Sequence, residues 1–230
     1  MSGSDPTEFG TEANAENRIT RPPRQRRDVR GRGPERTEAF SDGVFAIAIT
    51  LLVLEIRIPS GAQLATPGAL IGALAGLWPS YLGYVVSFIT VGIMWANHHN
   101  LFRHIAIVDH GLLLANLFLL LGVGFVPFPT ALLAATLGQP GQQIGILVYS
   151  GTFVAIAVGF NVLWYRARRH GLLLRPDADP AAIEAITRSY RLGPPGYLVA
   201  FLLALVNPAL GMAVIIGLVL LYLLPGSSGA

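Results

Sequence analysis

The stretch that decides the fold is residues 36–55, which read RTEAFSDGVFAIAITLLVLE. It is an apolar helical pattern with a carboxylate towards each end, at Asp42 and Glu55. These acids are 13 positions apart, which is about 20 Å along a helix, whereas the hydrocarbon core of a bilayer is about 30 Å thick. If this helix spans, at least one carboxylate must be paired, neutralised or facing water. The stretch therefore predicts a polar pathway or a buried ionic network rather than a plain anchor.

The composition of the chain indicates an integral membrane protein. Of its 230 residues, 53% are hydrophobic and 13% are charged, whereas soluble domains carry about 25% charged residues. Eight of the sixteen basic residues lie between Arg18 and Arg36, and residues 192–230 carry no charge at all. The absence of cysteine excludes disulfides and thiolate metal sites. We therefore predict an all-α, polytopic integral membrane protein.

Six apolar segments predict six transmembrane helices. The first four are each long enough to span at about 20 residues. Two breaker sequences, Gly193-Pro-Pro-Gly196 and Asn207-Pro208, divide the last apolar region into two short spans. The fifth span is short, so a five-span topology stays open, and residues 180–191 have the pattern of a surface helix. The segments cover about residues 37–58, 68–96, 105–128, 143–165, 194–206 and 208–224.

Charge in the connections predicts the domain organisation and the orientation. Residues 1–35 are predicted to be a disordered basic cytoplasmic tail, residues 36–224 a six-helix transmembrane domain, and residues 225–230 a short C-terminal tail. The connections at 59–67 and 129–142 contain no arginine or lysine, whereas the alternate connections are basic. The positive-inside rule then places both termini in the cytoplasm.

Helical periodicity does not say which face of the first segment meets lipid. One face carries Ile47, Thr50, Leu51 and Leu54, and the opposite side carries Ala46, Ile49 and Val53. Because both faces are apolar, lipid-facing and protein-facing sides are not distinguished. A threonine in such a helix ordinarily donates to the carbonyl four residues earlier, so Thr50 also fits a plain spanning helix.

The cytoplasmic end of this segment predicts a cluster of polar side chains. Asp42 fits an N-cap, but a helix starting there would be too short to span, so we predict that the helix begins near residue 37. A buried carboxylate needs a partner. Its candidate partners are Arg36, Ser41 and the second-segment residues Trp95, Asn97 and His98 or His99. A metal site at the paired histidines and a catalytic Ser–His–Asp group are the less favoured readings.

These residues resemble a known family. The pattern Arg36-xxx-Phe40-Ser41-Asp42-Gly43, followed by residues 46–55 and by Trp95-xx-His98, is similar to the bacterial homologues of the lysosomal potassium channel, the transmembrane protein 175 family. The resemblance implies a homotetramer in which the first helices line a central pore. It also implies a potassium-permeable channel in a bacterial inner membrane, with a structural network at the cytoplasmic helix ends formed by Arg36, Phe40, Ser41, Asp42, Trp95, Asn97 and His98. By position, Ile47, Leu51 and Leu54 form hydrophobic constrictions and Thr50 a selectivity ring. Because four neutral hydroxyls exert a weaker field than stacked carbonyls, we expect modest selectivity for potassium over sodium. Glu55 lies near the outer mouth, where it either concentrates cations or, as an exposed helix-end acid, has no role.

Two other classes of protein stay open at this point. A secondary transporter or small-molecule exporter is the alternative function, although no internal repeat supports it. A membrane enzyme would use the cluster of Ser41, Asp42 and His98, which structural pairing explains more simply. We therefore expect no enzyme activity, no cofactor or bound metal beyond permeating potassium, and no nucleic-acid partner.

Overall fold

The structure is a computed structural model of one chain, and it describes residues 33–169 and 173–223. Nearly all of the predicted basic tail and the whole predicted C-terminal tail lie outside these residues, so the proposed domain organisation stays a prediction. The described residues are all-helical, apart from one isolated bridge between Ile105 and Leu174. The helices are α1 (Pro34–Leu51), α2 (Pro67–Gly76), α3 (Trp78–Arg103), α4 (His110–Phe125), α5 (Pro127–Thr136), α6 (Gln142–Arg168), α7 (Pro180–Val206) and α8 (Pro208–Leu223).

Five helical stretches of the described chain are long and apolar enough to cross a membrane, by length and composition. They are Pro34–Glu55, Trp78–Arg103, His110–Thr136, Gln142–Arg168 and Pro180–Val206. The last helix, α8, has 16 residues, which is about 24 Å at 1.5 Å per residue. The described residues thus confirm the all-α prediction and give five candidate membrane spans, whereas the sixth span stays a prediction.

The first helix starts before the acid that could have capped it. Pro34 occupies the start of α1, where its missing amide proton leaves no hydrogen bond unmade. Beyond Leu51 the chain tightens into a 3₁₀ turn that ends at Glu55. The prediction that Asp42 lies inside the helix is confirmed, because the residue is about two turns from the start of α1.

Two prolines lie at helix starts that the sequence analysis did not predict. The predicted second segment is wrong in extent, because the chain bends at Leu77 and α3 then starts afresh around Pro79 and runs to Arg103. The predicted end of the third segment is also wrong, since Pro127 opens α5 instead of ending the helical path. Both outcomes have one cause: proline is accepted in the first turn of a helix, where no amide donor is needed.

The glycines of α2 make no close contact with the described part of the chain. Gly68, Gly72 and Gly76 are four residues apart, a spacing that lets the backbones of membrane helices approach closely. A Cβ atom built on any of the three would meet no atom within 4 Å. The close approach occurs instead between α7 and α8, where a Cβ on Gly211 would lie 2.7 Å from the Cβ of Ala204.

The predicted break at Gly193-Pro-Pro-Gly196 is wrong. One helix, α7, runs from Pro180 to Val206 with Pro194 and Pro195 inside it, so the separate surface helix and short fifth span merge. Pro194 has no N–H to donate to the carbonyl of Tyr190, four residues earlier. The side-chain amide of Asn161 in α6 donates to that carbonyl at 2.9 Å. A neighbouring helix thereby satisfies the backbone group that proline frees, which allows proline inside a spanning helix.

This compensation predicts a conditional loss of stability. Asn161→Leu leaves the Tyr190 carbonyl without a donor, which we expect to cost about 1–3 kcal/mol. In a Pro194→Ala background, residue 194 regains its N–H and can serve that carbonyl, so the same Asn161 substitution should cost less. Denaturation by sodium dodecyl sulfate in mixed micelles measures the free energy of unfolding of the unmodified protein, the two single variants and the double variant. Equal costs in the two backgrounds would contradict this role for Asn161.

The helices pack around α6. This helix contacts α4, α5, α7 and α8, and α7 forms an antiparallel hairpin with α8. The main contacts of α1 are instead with α3 and α4. The described part of the chain therefore covers one side of α1.

Candidate functional site

One stripe of α1 is buried, and most of its other side chains are exposed or half-buried. The buried stripe consists of Thr37, Ser41, Phe45, Ala48 and Leu52. This spacing of three and four residues is one face of a helix. Apolar periodicity did not say which side of this helix packs against the protein. In the structure the packed side lies between the face of Ile47 and Thr50 and the face of Ala46 and Val53.

A chain of hydrogen bonds crosses from α3 through α4 to α1. His98 Nε2 lies 2.9 Å from Asn116 Oδ1, and Asn116 Nδ2 donates to Ser41 Oγ at 2.9 Å. Ser41 Oγ in turn donates to the Thr37 carbonyl at 2.8 Å. All three side chains are buried, with 0–1% of their surface exposed. Each of these three buried side chains therefore has at least one hydrogen-bond partner where solvent is excluded.

The directions of these bonds determine the tautomer of His98. Because the amide nitrogen of Asn116 is used on Ser41, its oxygen faces the imidazole and can only accept. His98 must then carry its proton on Nε2. Its Nδ1 is buried and finds no hydrogen-bond partner among the described residues. The ring is held by Phe102, stacked at 4.5 Å between centroids, and by Phe45 at 5.4 Å.

Two further contacts tie α1 to α3 nearer the surface. The Trp95 indole donates to Asp42 Oδ1 at 2.9 Å. His99 Nδ1 lies 2.8 Å from Glu38 Oε1. The paired histidines therefore point to different partners, His98 into the buried chain and His99 to a carboxylate. Asp42 is half-buried, so its pairing with Trp95 is at an edge and not in the core.

Three residues expected in this network lie elsewhere in the single chain. Arg36 is exposed, and the ion pairs between described residues do not join it to Asp42. Phe40 is 56% exposed. Asn97 faces a cavity between α3, α6, α7 and α8, where its backbone carbonyl accepts from the hydroxyl of Tyr190 at 3.0 Å. The buried contacts between α1, α3 and α4 are made instead by Phe45 and Asn116.

Asn116 was missed because it lies in a uniformly apolar helix. A lone amide in the stretch GLLLANLFLLLG is itself a signal, since an unpaired amide in hydrocarbon is costly. That signal indicates a buried partner without saying which helix supplies it. Sequence separations of 18 residues to His98 and 75 to Ser41 show why local pattern could not connect them.

The predicted pore-lining residues share the uncovered side of α1. Ile47 is 60% exposed, Leu51 40% and Leu54 72%. Thr50 is exposed beside them, and its hydroxyl donates to the carbonyl of Ile47 at 2.9 Å. The proton of that hydroxyl is thereby used within the helix, so the oxygen lone pairs remain available on the open side.

Glu55 ends this face. It is half-buried and lines an open cleft together with Leu51, Leu54 and the aromatic rings of Phe125 and Phe128. The cleft lies where the 3₁₀ turn after α1 meets the junction of α4 and α5. Glu55 is therefore at the end of α1 opposite to Asp42, as the sequence spacing requires.

This fold and site define a class of protein: a helical membrane protein whose first helix is tied to its neighbours on one side and uncovered along an apolar, threonine-bearing face. Residues 36–127 match the sequence profile of the family described as endosomal/lysosomal potassium channel TMEM175. A potassium channel of Chamaesiphon minutus is 50% identical over 179 residues, covering 78% of this chain and 88% of that protein. The chain belongs to the TMEM175 family.

A solved structure agrees with this assignment. The crystal structure of a lysosomal potassium-selective channel TMEM175 homolog from the same organism superposes with a TM-score of 0.72 at 45% identity. The match covers 82% of this chain and 95% of that one. The human relative, an endosomal/lysosomal proton channel TMEM175, is 36% identical over 142 residues, covering 59% of this chain and 28% of the human protein.

Proposed function

We propose that this protein is a potassium-permeable cation channel that assembles as a homotetramer in a bacterial inner membrane, with both termini cytoplasmic. The uncovered side of α1 carries the proposal. Family membership supports ion conduction, and the name of the Chamaesiphon relative supports potassium as the ion. Four copies of α1 around an axis would cover one another's exposed face and enclose a path for ions.

The gate in this proposal is a hydrophobic constriction. Ile47 and Leu51 on α1, with Leu54 in the 3₁₀ turn that follows it, form successive rings of branched apolar side chains. A narrow ring of this kind excludes water and blocks ions by dewetting, without a moving plug. The exposure of these side chains in the single chain supports the assignment, because side chains buried in the subunit core could not meet at an axis.

Selectivity is assigned to Thr50. Four Thr50 oxygens at one level would replace part of the hydration shell of a cation. Neutral hydroxyls exert a weaker field than stacked carbonyls do, so the preference for potassium over sodium is modest. Glu55 at the outer mouth concentrates cations through its negative charge.

Removing the hydroxyl tests this assignment. Thr50→Ala should shift the reversal potential measured in mixed potassium and sodium towards the value of an unselective pore. Thr50→Ser keeps an oxygen at the same position and is the matched control, which we expect to stay close to the unmodified protein. A reversal potential that Thr50→Ala leaves unchanged would remove Thr50 from the ion path.

The network at the other end of α1 acts as structural support in this proposal. Ser41 and Asp42 hold the cytoplasmic half of α1 against α3 and α4 through Asn116 and Trp95. Arg36 and Phe40, which are uncovered in the single chain, are assigned to contacts between subunits. The channel domain is taken as residues 36–224, with α8 as the sixth span.

Bilayer recording of the purified protein under a potassium gradient separates this function from a secondary transporter. A channel gives unitary currents that reverse near the potassium equilibrium potential. A second gradient, of protons alone, tests whether protons permeate, as the name of the human relative suggests for that protein. Flux without unitary currents, and dependent on a second coupled ion, would favour a transporter instead.

A further inference from the structure

A basic cleft lies between α6 and α7, away from the proposed pore helix. It has a volume of about 350 Å³ and opens to the surface. Three arginines line it, one pair at the end of α6 and one residue in the first half of α7. The cleft is lined by Asn161, Trp164, Tyr165, Arg168, Arg169, Thr187 and Arg191.

No ion pair between described residues neutralises the positive charge of this cleft. The two ion pairs between described residues are His99 with Glu38 and Arg166 with Asp109. Arg166 is thus used at the start of α4, whereas Arg168, Arg169 and Arg191 have no carboxylate partner in the described part of the chain. Three uncompensated guanidinium groups around one cleft favour an anionic occupant.

One of these arginines is held in position. Arg168 Nη1 donates to Thr187 Oγ1 at 2.7 Å, and the Trp164 indole donates to the same oxygen at 3.0 Å. The Thr187 hydroxyl itself donates a hydrogen bond to the Ile183 carbonyl at 2.6 Å. The oxygen of Thr187 is therefore fully used. Arg168 keeps its remaining N–H groups, which the cleft presents in a fixed geometry.

The cleft lies at the depth of lipid headgroups. Residues 142–165 of α6 carry no charge, and Arg166 is the first charged residue after them. In α7, Arg191 is the last charged residue before an uncharged run that continues to residue 230. Because the two helices are antiparallel neighbours, both transitions fall at the same edge of the hydrocarbon. Tyr165, which is 65% exposed, adds an interfacial aromatic ring.

An apolar track leads away from the arginines along α6. Val158, Val162, Tyr165 and Arg169 follow one another at spacings of four, three and four residues and share one face. Val158 is 42% and Val162 46% exposed. A molecule with an anionic head at Arg169 and an apolar tail along these valines would match both surfaces.

We propose that this cleft binds the headgroup phosphate of an anionic phospholipid, with Arg168, Arg169 and Arg191 as the phosphate ligands and an acyl chain along Val158 and Val162. Basic clefts between transmembrane helices on the cytoplasmic side are a recognised setting for such headgroups. The apolar track is the reason to assign a lipid, since a soluble phosphate would use the arginines alone. The site is independent of ion conduction.

Native mass spectrometry of the full-length, detergent-purified protein tests the site. The protein is offered equal amounts of phosphatidylglycerol and phosphatidylcholine with identical acyl chains, and the bound lipids are counted. We expect a preference for phosphatidylglycerol that falls about fivefold per arginine removed, in Arg169→Gln/Arg191→Gln. The control Arg103→Gln/Arg188→Gln removes the same charge from exposed positions outside the cleft and should keep the preference.

Three further comparisons separate a specific lipid site from diffuse charge attraction and from a site for a soluble anion. Equal losses in the two double variants would show diffuse charge attraction and overturn the site. Displacement of phosphatidylglycerol by inorganic phosphate would assign the cleft to a soluble anion and overturn the lipid proposal. Arg169→Lys/Arg191→Lys keeps both charges and should retain most of the preference. This variant and the phosphate competition still decide the proposal if the glutamine pair does not fold.

Discussion

Ile47→Asn is expected to raise potassium flux through reconstituted protein by about tenfold or more. In the proposed tetramer this substitution places four amides where four branched apolar side chains exclude water. A tenfold change in rate corresponds to about 1.4 kcal/mol of barrier, and transferring a single isoleucine side chain between water and an apolar site already involves about 1.5–3 kcal/mol. Flux of potassium into liposomes, driven by an ion gradient, measures the effect.

The matched control for this experiment is Leu121→Asn. Leu121 is a large apolar residue on α4 with 72% of its surface exposed, compared with 60% for Ile47. It receives the same amide at a similarly uncovered position outside the proposed ion path. Unchanged flux in Ile47→Asn, or an equal rise in Leu121→Asn, would contradict a constriction at Ile47. A rise in Ile47→Asn alone supports it.

Asn116→Leu is expected to destabilise the folded subunit by about 1–3 kcal/mol. Leucine fills nearly the same volume, so the loss is one of hydrogen bonding. His98 Nε2–H loses its acceptor, and Ser41 Oγ loses the donor that connects α1 to α4. Denaturation in mixed micelles, followed by circular dichroism, measures the change in the free energy of unfolding.

Asn97→Leu provides the comparison, because it makes the same substitution on α3. The Asn97 side chain lines a cavity and has no hydrogen bond to the described residues, although its sequence position suggested the network. We expect its cost to be well below that of Asn116→Leu. A second check is Ser41→Ala, whose effect should be smaller in the Asn116→Leu background. Equal costs at residues 97 and 116 would contradict the role assigned to Asn116.

The local sequence pattern predicted this fold well wherever the residues of a single helix decide whether it forms and where it ends. Hydropathy identified the membrane class, and the shortness of the segment after Asp42 placed that residue inside α1. It failed at Gly193-Pro-Pro-Gly196, because continuity of α7 depends on a donor from Asn161 in another helix. It also failed at Pro79 and Pro127, since the same residue that interrupts one helix begins the next.

The candidate site divides in the same way. The sequence by itself determined that the chain is a helical membrane protein, that its first helix carries acids at both ends, and that Ile47, Thr50 and Leu54 share one side of it. Only the tertiary structure decided which side is covered, and that Asn116 joins His98 to Ser41. The physical reason is that periodicity is a property of one helix, whereas burial and hydrogen-bond partners depend on which helices meet. In a membrane, where every face of a helix is apolar, the sequence of one helix cannot specify its neighbour.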